Sequence, residues 1–319
     1  MARYLVTGGA GFIGSHLVHA LAARGDGVRV LDNLATGRME NLDGLACGEL
    51  HSGAPVEVVQ GDICDPAAVS VACEGVDGVF HEAAQVSVPQ SLQDPVRSYE
   101  VNVMGTLRVL EAARSAGIGR IVFAASSAAY GNAPELPKVE SMPPRPVSPY
   151  ASGKVAAEHL LAVFGSSFGM RTTALRYFNV FGPRQLDDSP YTGVIAIFAK
   201  ALIEGRRPTI FGDGEQTRDF NYVENVVAAN LAAMAADLEP GTLINVGCGT
   251  PITLNQLYRA MAEHLGSDLE PEFADPRPGD VVHSSASLER ARELLGYEPL
   301  VDWKTGLART LDWYRERLG

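Results

Sequence analysis

Short apolar runs alternate with longer amphipathic stretches through the first half of the chain. Residues 3–7, 28–31, 56–59, 78–81, 120–125 and 172–177 are short runs rich in apolar and β-branched residues, as strands buried on both faces require. Between them, residues 15–21, 99–110 and 149 to about 168 carry helical periodicity. Buried strands separated by amphipathic helices predict an α/β fold, a doubly wound parallel sheet covered on both sides. After Phe178 the alternation loosens, and Gly182-Pro183, Pro208, Gly212-Asp213-Gly214, Pro251 and Pro271 cut the chain into short elements. The expected organisation is a larger parallel-sheet domain over 1–178, with residues from about 220 to 248 returning to it. Residues 179–319 are expected to form mainly a smaller mixed α/β lobe. No internal repeat or low-complexity linker interrupts this pattern.

The first strand runs into Gly8-Gly9-Ala10-Gly11-Phe12-Ile13-Gly14, followed at once by an apolar helix. Gly9-x-Gly11-x-x-Gly14 has the dinucleotide spacing of a Rossmann fold, and Gly8-x-x-Gly11-x-x-Gly14 is a looser version of it. Glycines permit a tight strand-to-helix turn and close approach of a pyrophosphate, which the free N–H groups of the helix start then bind. The second strand ends at Asp32, where a carboxylate can accept hydrogen bonds from both ribose hydroxyls of NAD and would repel the 2′-phosphate of NADP. The expected cofactor is NAD.

Tyr150-Ala151-Ser152-Gly153-Lys154 places a phenol and an ammonium four residues apart, on one helix face. A cation there is expected to lower the tyrosine pKa and make it a base toward an alcohol or sugar hydroxyl.

Composition narrows the setting. Of 319 residues 46% are hydrophobic and 20% charged, and the net charge is −12 without any basic run, which speaks against nucleic acid and anionic membranes as partners. Cys47, Cys64, Cys73 and Cys248 are scattered, and the seven histidines show no zinc-ligand spacing, so reduced cysteines and no metal are expected. The first residues lack a signal-peptide pattern and no apolar run would span a bilayer, so a cytoplasmic location is expected.

Further segments fall at strand ends: His81 to Gln85, Ser126-Ser127-Ala128-Ala129-Tyr130-Gly131, and Arg176-Tyr177-Phe178-Asn179. With Thr7 to Gly14, Asp32-Asn33-Leu34, Gly61-Asp62-Ile63, Tyr150 to Lys154, Phe211 to Phe220 and Arg277-Pro278-Gly279-Asp280, the chain resembles the extended short-chain dehydrogenase/reductases along essentially its whole length. Among these it is most similar to the nucleotide-sugar 4-epimerases. The resemblance implies that Tyr150 removes the proton of the sugar 4-hydroxyl, that Lys154 assists it and binds the nicotinamide ribose, and that Ser126 hydrogen-bonds the same hydroxyl. C4 would be oxidised and then reduced on its other face, with no net redox change and NAD retained throughout. The implied cofactor contacts are Gly8, Gly11, Phe12, Ile13, Gly14, Asp32, Asn33, Asp62, Ile63, Ala83, Ala84, Asn102, Tyr150, Lys154 and Tyr177. The implied contacts to a UDP-sugar are Ser87, Ser126, Ser127, Tyr150, Asn179, Val194, Phe211, Arg218, Arg277 and Ser284. Ser284 occupies the position that borders the C2 substituent, where a small residue leaves room for an N-acetyl group. A homodimer is implied through the helices near 99–116 and 150–168, which carry apolar positions on more than one face.

Rival readings differ at identifiable positions. In the resembled family the 4,6-dehydratases carry an Asp-Glu pair just after the position of Ser126, and UDP-glucuronate decarboxylases a Glu two positions before the Tyr-Gly pair. This chain has Ser127 and Ala128 there. UDP-glucuronate 4-epimerization stays open, because Arg184 could face a carboxylate. A non-catalytic NAD sensor would be expected to lack Tyr150 or Lys154.

Overall fold

Eight parallel strands form one sheet, and most of them contribute largely buried, mainly apolar runs that neither face can leave in water. A computed structural model describes residues 2–186, 193–276 and 282–318. In chain order the strands are β1 (Arg3–Thr7), β2 (Gly27–Asp32), β3 (Cys47–Glu49), β4 (Val56–Gln60), β5 (Gly78–His81), β6 (Arg120–Ser126) and β7 (Arg171–Tyr177), and later β8 (Thr242–Val246). Across the sheet they lie β8-β7-β6-β5-β1-β2-β4-β3. The chain therefore winds outward from β1 in one direction, returns, and winds outward from β5 in the other. The connections after β1 and β5 part at this reversal, which makes the crevice at their carboxyl ends the natural place for a ligand.

Successive strand residues feed opposite cores. Leu5, Val79, Ile121 and Phe123 pack with Val69, Val109, Leu110, Leu161 and Phe164 on one face. Val6, Phe80 and Val122 pack with Leu17, Leu21, Val226 and Met234 on the other. The first face is covered by α1 (Pro66–Cys73), α2 (Thr106–Ser115) and α3 (Pro149–Phe168); the second by α4 (Phe12–Ala23) and α5 (Val223–Ala235). The helix expected over 99–110 is helical but not uniform. Pro95–Tyr99 is an α-turn, Glu100–Gly105 is π-helical, and α2 follows.

A third core belongs to the smaller lobe. Phe181, Ile195, Phe198, Leu202, Leu257, Met261, Leu311 and Tyr314 cluster there, with Phe12 and Ile13 packed against them from the start of the sheet domain. Short two-stranded pairs frame this lobe: Val180–Phe181 with Asn221–Tyr222, Thr217–Arg218 with Ile252–Thr253, and Thr209–Phe211 with Glu272–Ala274. Among the described residues no helix is long and apolar enough to cross a membrane.

One charged pair is built into the sheet. Arg29 on β2 and Glu57 on β4 are register partners, and their side chains are each 2% exposed. Arg29 donates to Glu57 Oε2 through Nη2 at 2.8 Å and Nε at 3.2 Å, and its other nitrogen meets the carbonyls of Ala72 and Glu74 at the end of α1. Burial would raise the Glu57 pKa, but the Arg29 hydrogen bonds and charge, helped by Arg3, hold it below the usual carboxylate value. A depressed folded pKa stabilises the fold fully above the unfolded value and is lost as pH falls through the folded one. Glu57→Gln is expected to destabilise the protein by about 3 kcal/mol near neutral pH, because it leaves a buried guanidinium uncompensated. Thermal melts from pH 7 downward should show the gap between wild type and variant narrowing below about pH 4; a constant gap would mean that the pair contributes packing only.

Candidate active site

The crevice is assembled from the loops after β1 and β5. Gly8, at φ +69°, lies so close to the second loop that a Cβ would stand 2.8 Å from the Ala83 nitrogen. A Cβ on Gly14 would run into the Gly8 carbonyl oxygen, so α4 can start this near the strand only with glycine there. Gly11 is the N-cap of α4 and offers no side chain to its first N–H groups, and no acidic residue occupies the first turn. That end of the helix is left for an anion. Phe12 and Ile13 supply backbone N–H groups to this rim, while their side chains face the smaller lobe.

A defined hydrogen-bond chain holds the two loops. Thr106 Oγ1 donates to the Asn102 carbonyl at 2.8 Å, so it accepts from His81 Nε2 at 3.0 Å. His81 Nδ1 is then the acceptor for the Thr7 hydroxyl at 2.7 Å, and Thr7 Oγ1 accepts the Ala83 N–H at 3.2 Å. Burial, aided by the charge of Lys154, lowers the His81 pKa to about 3, so the ring stays neutral and this tautomer persists. Asn102 continues the chain, accepting from the Gln85 N–H at 2.8 Å and donating to the Gln85 carbonyl at 3.0 Å. Ala84 lies between these clamped points, and Ser87 caps the next helical turn through the Gln90 N–H.

At the end of β2, Asp32 accepts from the N–H groups of Ala10 (3.0 Å) and Leu34 (2.8 Å). Burial raises its pKa, against the pull of these donors. A carboxylate has about four acceptor sites, so these two bonds orient Asp32 without saturating it. Asn33 donates to Asp62 Oδ2 at 3.0 Å, and Arg97, absent from the sequence reading, binds the same oxygen at 3.0 Å. Desolvation of Asp62 is outweighed by the Cys64 N–H and by these partners, which keep its pKa low. Ile63 is buried beside Gly105.

The chemical groups stand on β6 and α3. Ser126 ends β6, and its hydroxyl accepts the Ala128 N–H at 3.2 Å, leaving its proton to donate elsewhere; Ser127 begins the turn that follows. Ser148 caps α3 through the Ala151 N–H, and Pro149 occupies the first turn, placing Tyr150 and Lys154 at the crevice end of the helix. Lys154 is 3% exposed, donates to the Ala124 carbonyl at 2.7 Å and lies 4.7 Å from the Phe123 ring centre. Burial lowers its pKa to about 8, against the opposing charges of Glu82 and Glu158. The expectation that Lys154 lowers the Tyr150 pKa is corrected here. Burial raises the phenol, the Ser126 side chain is the group that opposes it, and the Lys154 ammonium is turned to a main-chain carbonyl.

Tyr177, at the end of β7, donates to Glu82 Oε1 at 2.8 Å and accepts from Asn230 Nδ2 on α5 at 2.7 Å. Sequence reasoning assigned no role to Glu82 or Asn230; nothing in their spacing signals that two distant segments meet at one tyrosine.

The residues implied for the sugar nucleotide beyond β7 stand, where described, on separate short elements. Asn179, at φ +22°, follows β7, and Val194 opens the helix Val194–Ile203. Phe211 ends its short strand. Arg218 Nη1 donates to the carbonyls of Thr217 (2.9 Å) and Val282 (3.2 Å), and the Ser284 N–H returns to the Thr217 carbonyl at 3.1 Å. Arg218 and Ser284 are thus held on facing segments. Its neighbour Asp219, fully buried, accepts from the N–H groups of Cys248, Gly249 and Ala286 and ties those segments to the end of β8. Arg277 lies outside the described residues. Arg184 lies against α4, with Nη1 3.4 Å from Ser15 Oγ, and burial lowers its pKa.

Comparison with known proteins agrees with this architecture. The chain is 42% identical to the UDP-glucose 4-epimerase of Mycolicibacterium smegmatis over 99% of both chains. It superposes with a TM-score of 0.87 on the Thermus thermophilus UDP-glucose 4-epimerase in complex with NAD, at 42% identity and covering 98% of this chain and 99% of that one. A UDP-N-acetylglucosamine 4-epimerase from Methanobrevibacter ruminantium, solved with UDP-N-acetylmuramic acid, gives a TM-score of 0.92 at 38% identity over 99% of both chains. Residues 4–247 match the NAD dependent epimerase/dehydratase family, and the chain belongs to that family.

Proposed function

We propose that this protein is an NAD-dependent UDP-sugar 4-epimerase. It would interconvert UDP-glucose with UDP-galactose and UDP-N-acetylglucosamine with UDP-N-acetylgalactosamine. What supports this reading is that Ser126 at the end of β6 hydrogen-bonds the Tyr150 side chain at the start of α3, with Lys154 buried one turn further on, and that Ser127 and Ala128 stand where an elimination or decarboxylation would need carboxylates. The close-packed Gly8 and Gly14, the uncapped start of α4 and the oriented Asp32 fit a dinucleotide with a free ribose diol. When bound, NAD would supply the oxidation and reduction at C4 and, in its oxidised form, a positive ring charge that favours the Tyr150 phenolate.

The residues of the chain then have distinct tasks. Tyr150 takes the proton of the 4-hydroxyl and later returns it, and Ser126 orients that hydroxyl. Lys154, shielded from water, would bind the nicotinamide ribose. Gly8, Gly11, Phe12, Ile13 and Gly14 would hold the pyrophosphate, Asp32 and Asn33 the adenosine ribose, and Asp62 and Ile63 the adenine. Ala83, Ala84, Asn102 and Tyr177 would form the nicotinamide end. Asn179, Val194, Phe211, Arg218 and Arg277 would grip the UDP moiety, a guanidinium suiting a diphosphate. Ser87 and Ser127 would lie toward the hexose, which must turn over between the two half-reactions and so is bound more loosely.

We also propose a homodimer. Val96, Tyr99, Met104, Val163 and Phe168 are exposed on the 95–105 helical segment and on α3, an apolar surface that suits pairing of these helices across a two-fold axis.

Three outcomes test these readings. Tyr150→Phe keeps the ring and should lower turnover by about two to four orders of magnitude while NAD remains in the protein; near-wild-type rates would remove Tyr150 from its role. Ser284→Tyr should depress turnover of the N-acetylated sugars far more than that of UDP-glucose, because it adds a ring beside the C2 substituent. Equal losses would show that another side chain sets this specificity. Light scattering at micromolar concentration should give a dimer that Val96→Glu weakens; a wild-type monomer would contradict the proposed pairing.

A further inference from the structure

The segment that carries Ser284 is held from three directions. Thr217 donates its N–H to the Val282 carbonyl at 3.0 Å and accepts the Ser284 N–H at 3.1 Å. Lys138, on the loop after the Ser127–Tyr130 turn, donates to the Ser285 carbonyl at 2.8 Å and accepts the Ser287 N–H at 2.9 Å. Between those two bonds the Ala286 N–H turns to Asp219 Oδ2 at 3.0 Å. Asp219 Oδ1 takes the Cys248 N–H at 2.7 Å, and both oxygens share the Gly249 N–H, at 3.2 and 3.1 Å. The carboxylate is fully buried, and among the described residues all of these bonds come from the main chain. Four bonds match the roughly four acceptor sites of a carboxylate. An amide, with one accepting atom, could not serve both sides. Gly247 completes the nest, since a Cβ there would stand 2.8 Å from both Asp219 Oδ2 and the Ala286 Cβ.

Side chains alternate along an extended chain. With Asp219 drawn inward, Arg218 on the strand Thr217–Arg218 is turned to the other side, where its Nη1 meets the Thr217 and Val282 carbonyls. We propose that Asp219 is a positioning residue of the sugar-nucleotide site, a single buried carboxylate that sets the spacing between Arg218, its neighbour, and Ser284, two residues before Ala286. This rests on the roles given above to Arg218 and Ser284. A diphosphate held by Arg218 and a C2 substituent beside Ser284 belong to one substrate molecule, so the spacing of the two segments has to match that ligand. Fixing it in the free protein removes an ordering cost from binding. The partners of Asp219 lie on none of the elements that carry Ser126, Tyr150 or Lys154, which places its effect on binding and not on the chemical step.

Asp219→Asn keeps the shape but sets an NH₂ group against N–H donors on one side. KM for UDP-glucose and the dissociation constant of UDP, measured by calorimetry, should each rise about ten-fold, the scale of one lost buried hydrogen bond. Turnover at saturation and the bound NAD should stay close to wild type. Gly247→Ala presses on the same carboxylate and on Ala286 without removing charge. It should move KM in the same direction, and it carries the test should the first variant fail to fold. A role confined to stability would let the effects of Asp219→Asn and Arg218→Gln on UDP affinity add. Acting through one guanidinium, they should fall short of additivity by about three-fold or more. Amide exchange gives a readout independent of turnover: residues 282–287 should exchange faster in Asp219→Asn. Unchanged KM and UDP affinity, additive effects, or unaltered exchange would overturn the proposal. Should Arg218→Gln bind UDP as well as wild type, the assignment of Arg218 falls instead, and the exchange measurement still decides whether Asp219 holds the Ser284 segment.

Discussion

The site depends on how closely two loops can approach at the point where the sheet reverses direction. Gly8 packs against the main chain of Ala83, and the Thr7–His81–Thr106–Asn102 chain locks that contact from behind. If the loops parted, the start of α4 would no longer face the end of β5, and the crevice would lose its floor. Each member of this chain is buried and hydrogen-bonded, so breaking one link leaves polar atoms without partners in a dry interior, at about 1–3 kcal/mol each. The cost of disruption keeps the geometry single-valued.

On that floor the charges are arranged as a hierarchy. Arg176 and Glu158 neutralise each other, His81 is kept neutral by burial, the Lys154 ammonium is turned to the Ala124 carbonyl, and the Tyr150 phenol is one that the protein alone leaves protonated. Burial by itself works against both members of a Tyr/Lys pair, since it disfavours phenolate and ammonium alike. The pair becomes a base only through charges around it, and this gives the oxidised cofactor its importance.

The fold was legible in the sequence to the extent that it is written in local periodicity. Buried strands with their glycine turn, the acid at the end of β2 and the capped helix carrying Tyr150 and Lys154 all lie in short contiguous segments. The π-helical stretch at Glu100–Gly105 was not legible, because its residues keep ordinary helical spacing while Asn102 is pulled toward Gln85. The short strand Cys47–Glu49 and the two-stranded pairs of the smaller lobe join segments up to about sixty residues apart with little apolar pattern of their own. The direction of the Tyr150 pKa was misjudged for a related reason. Residue spacing shows which charges are near, but not how deeply they are buried. Glu82 and Asn230 escaped because their relation exists only through Tyr177, across three separate elements.

The central claim is that C4 of the sugar is inverted by an internal oxidation and reduction while Tyr150 exchanges only the hydroxyl proton. Conversion of UDP-glucose in D₂O, with the product examined by NMR, tests it most directly. The account predicts UDP-galactose with no deuterium on carbon 4, because the carbon-bound hydrogen never passes through solvent. Deuterium at C4, or a product other than the C4 epimer, would contradict it.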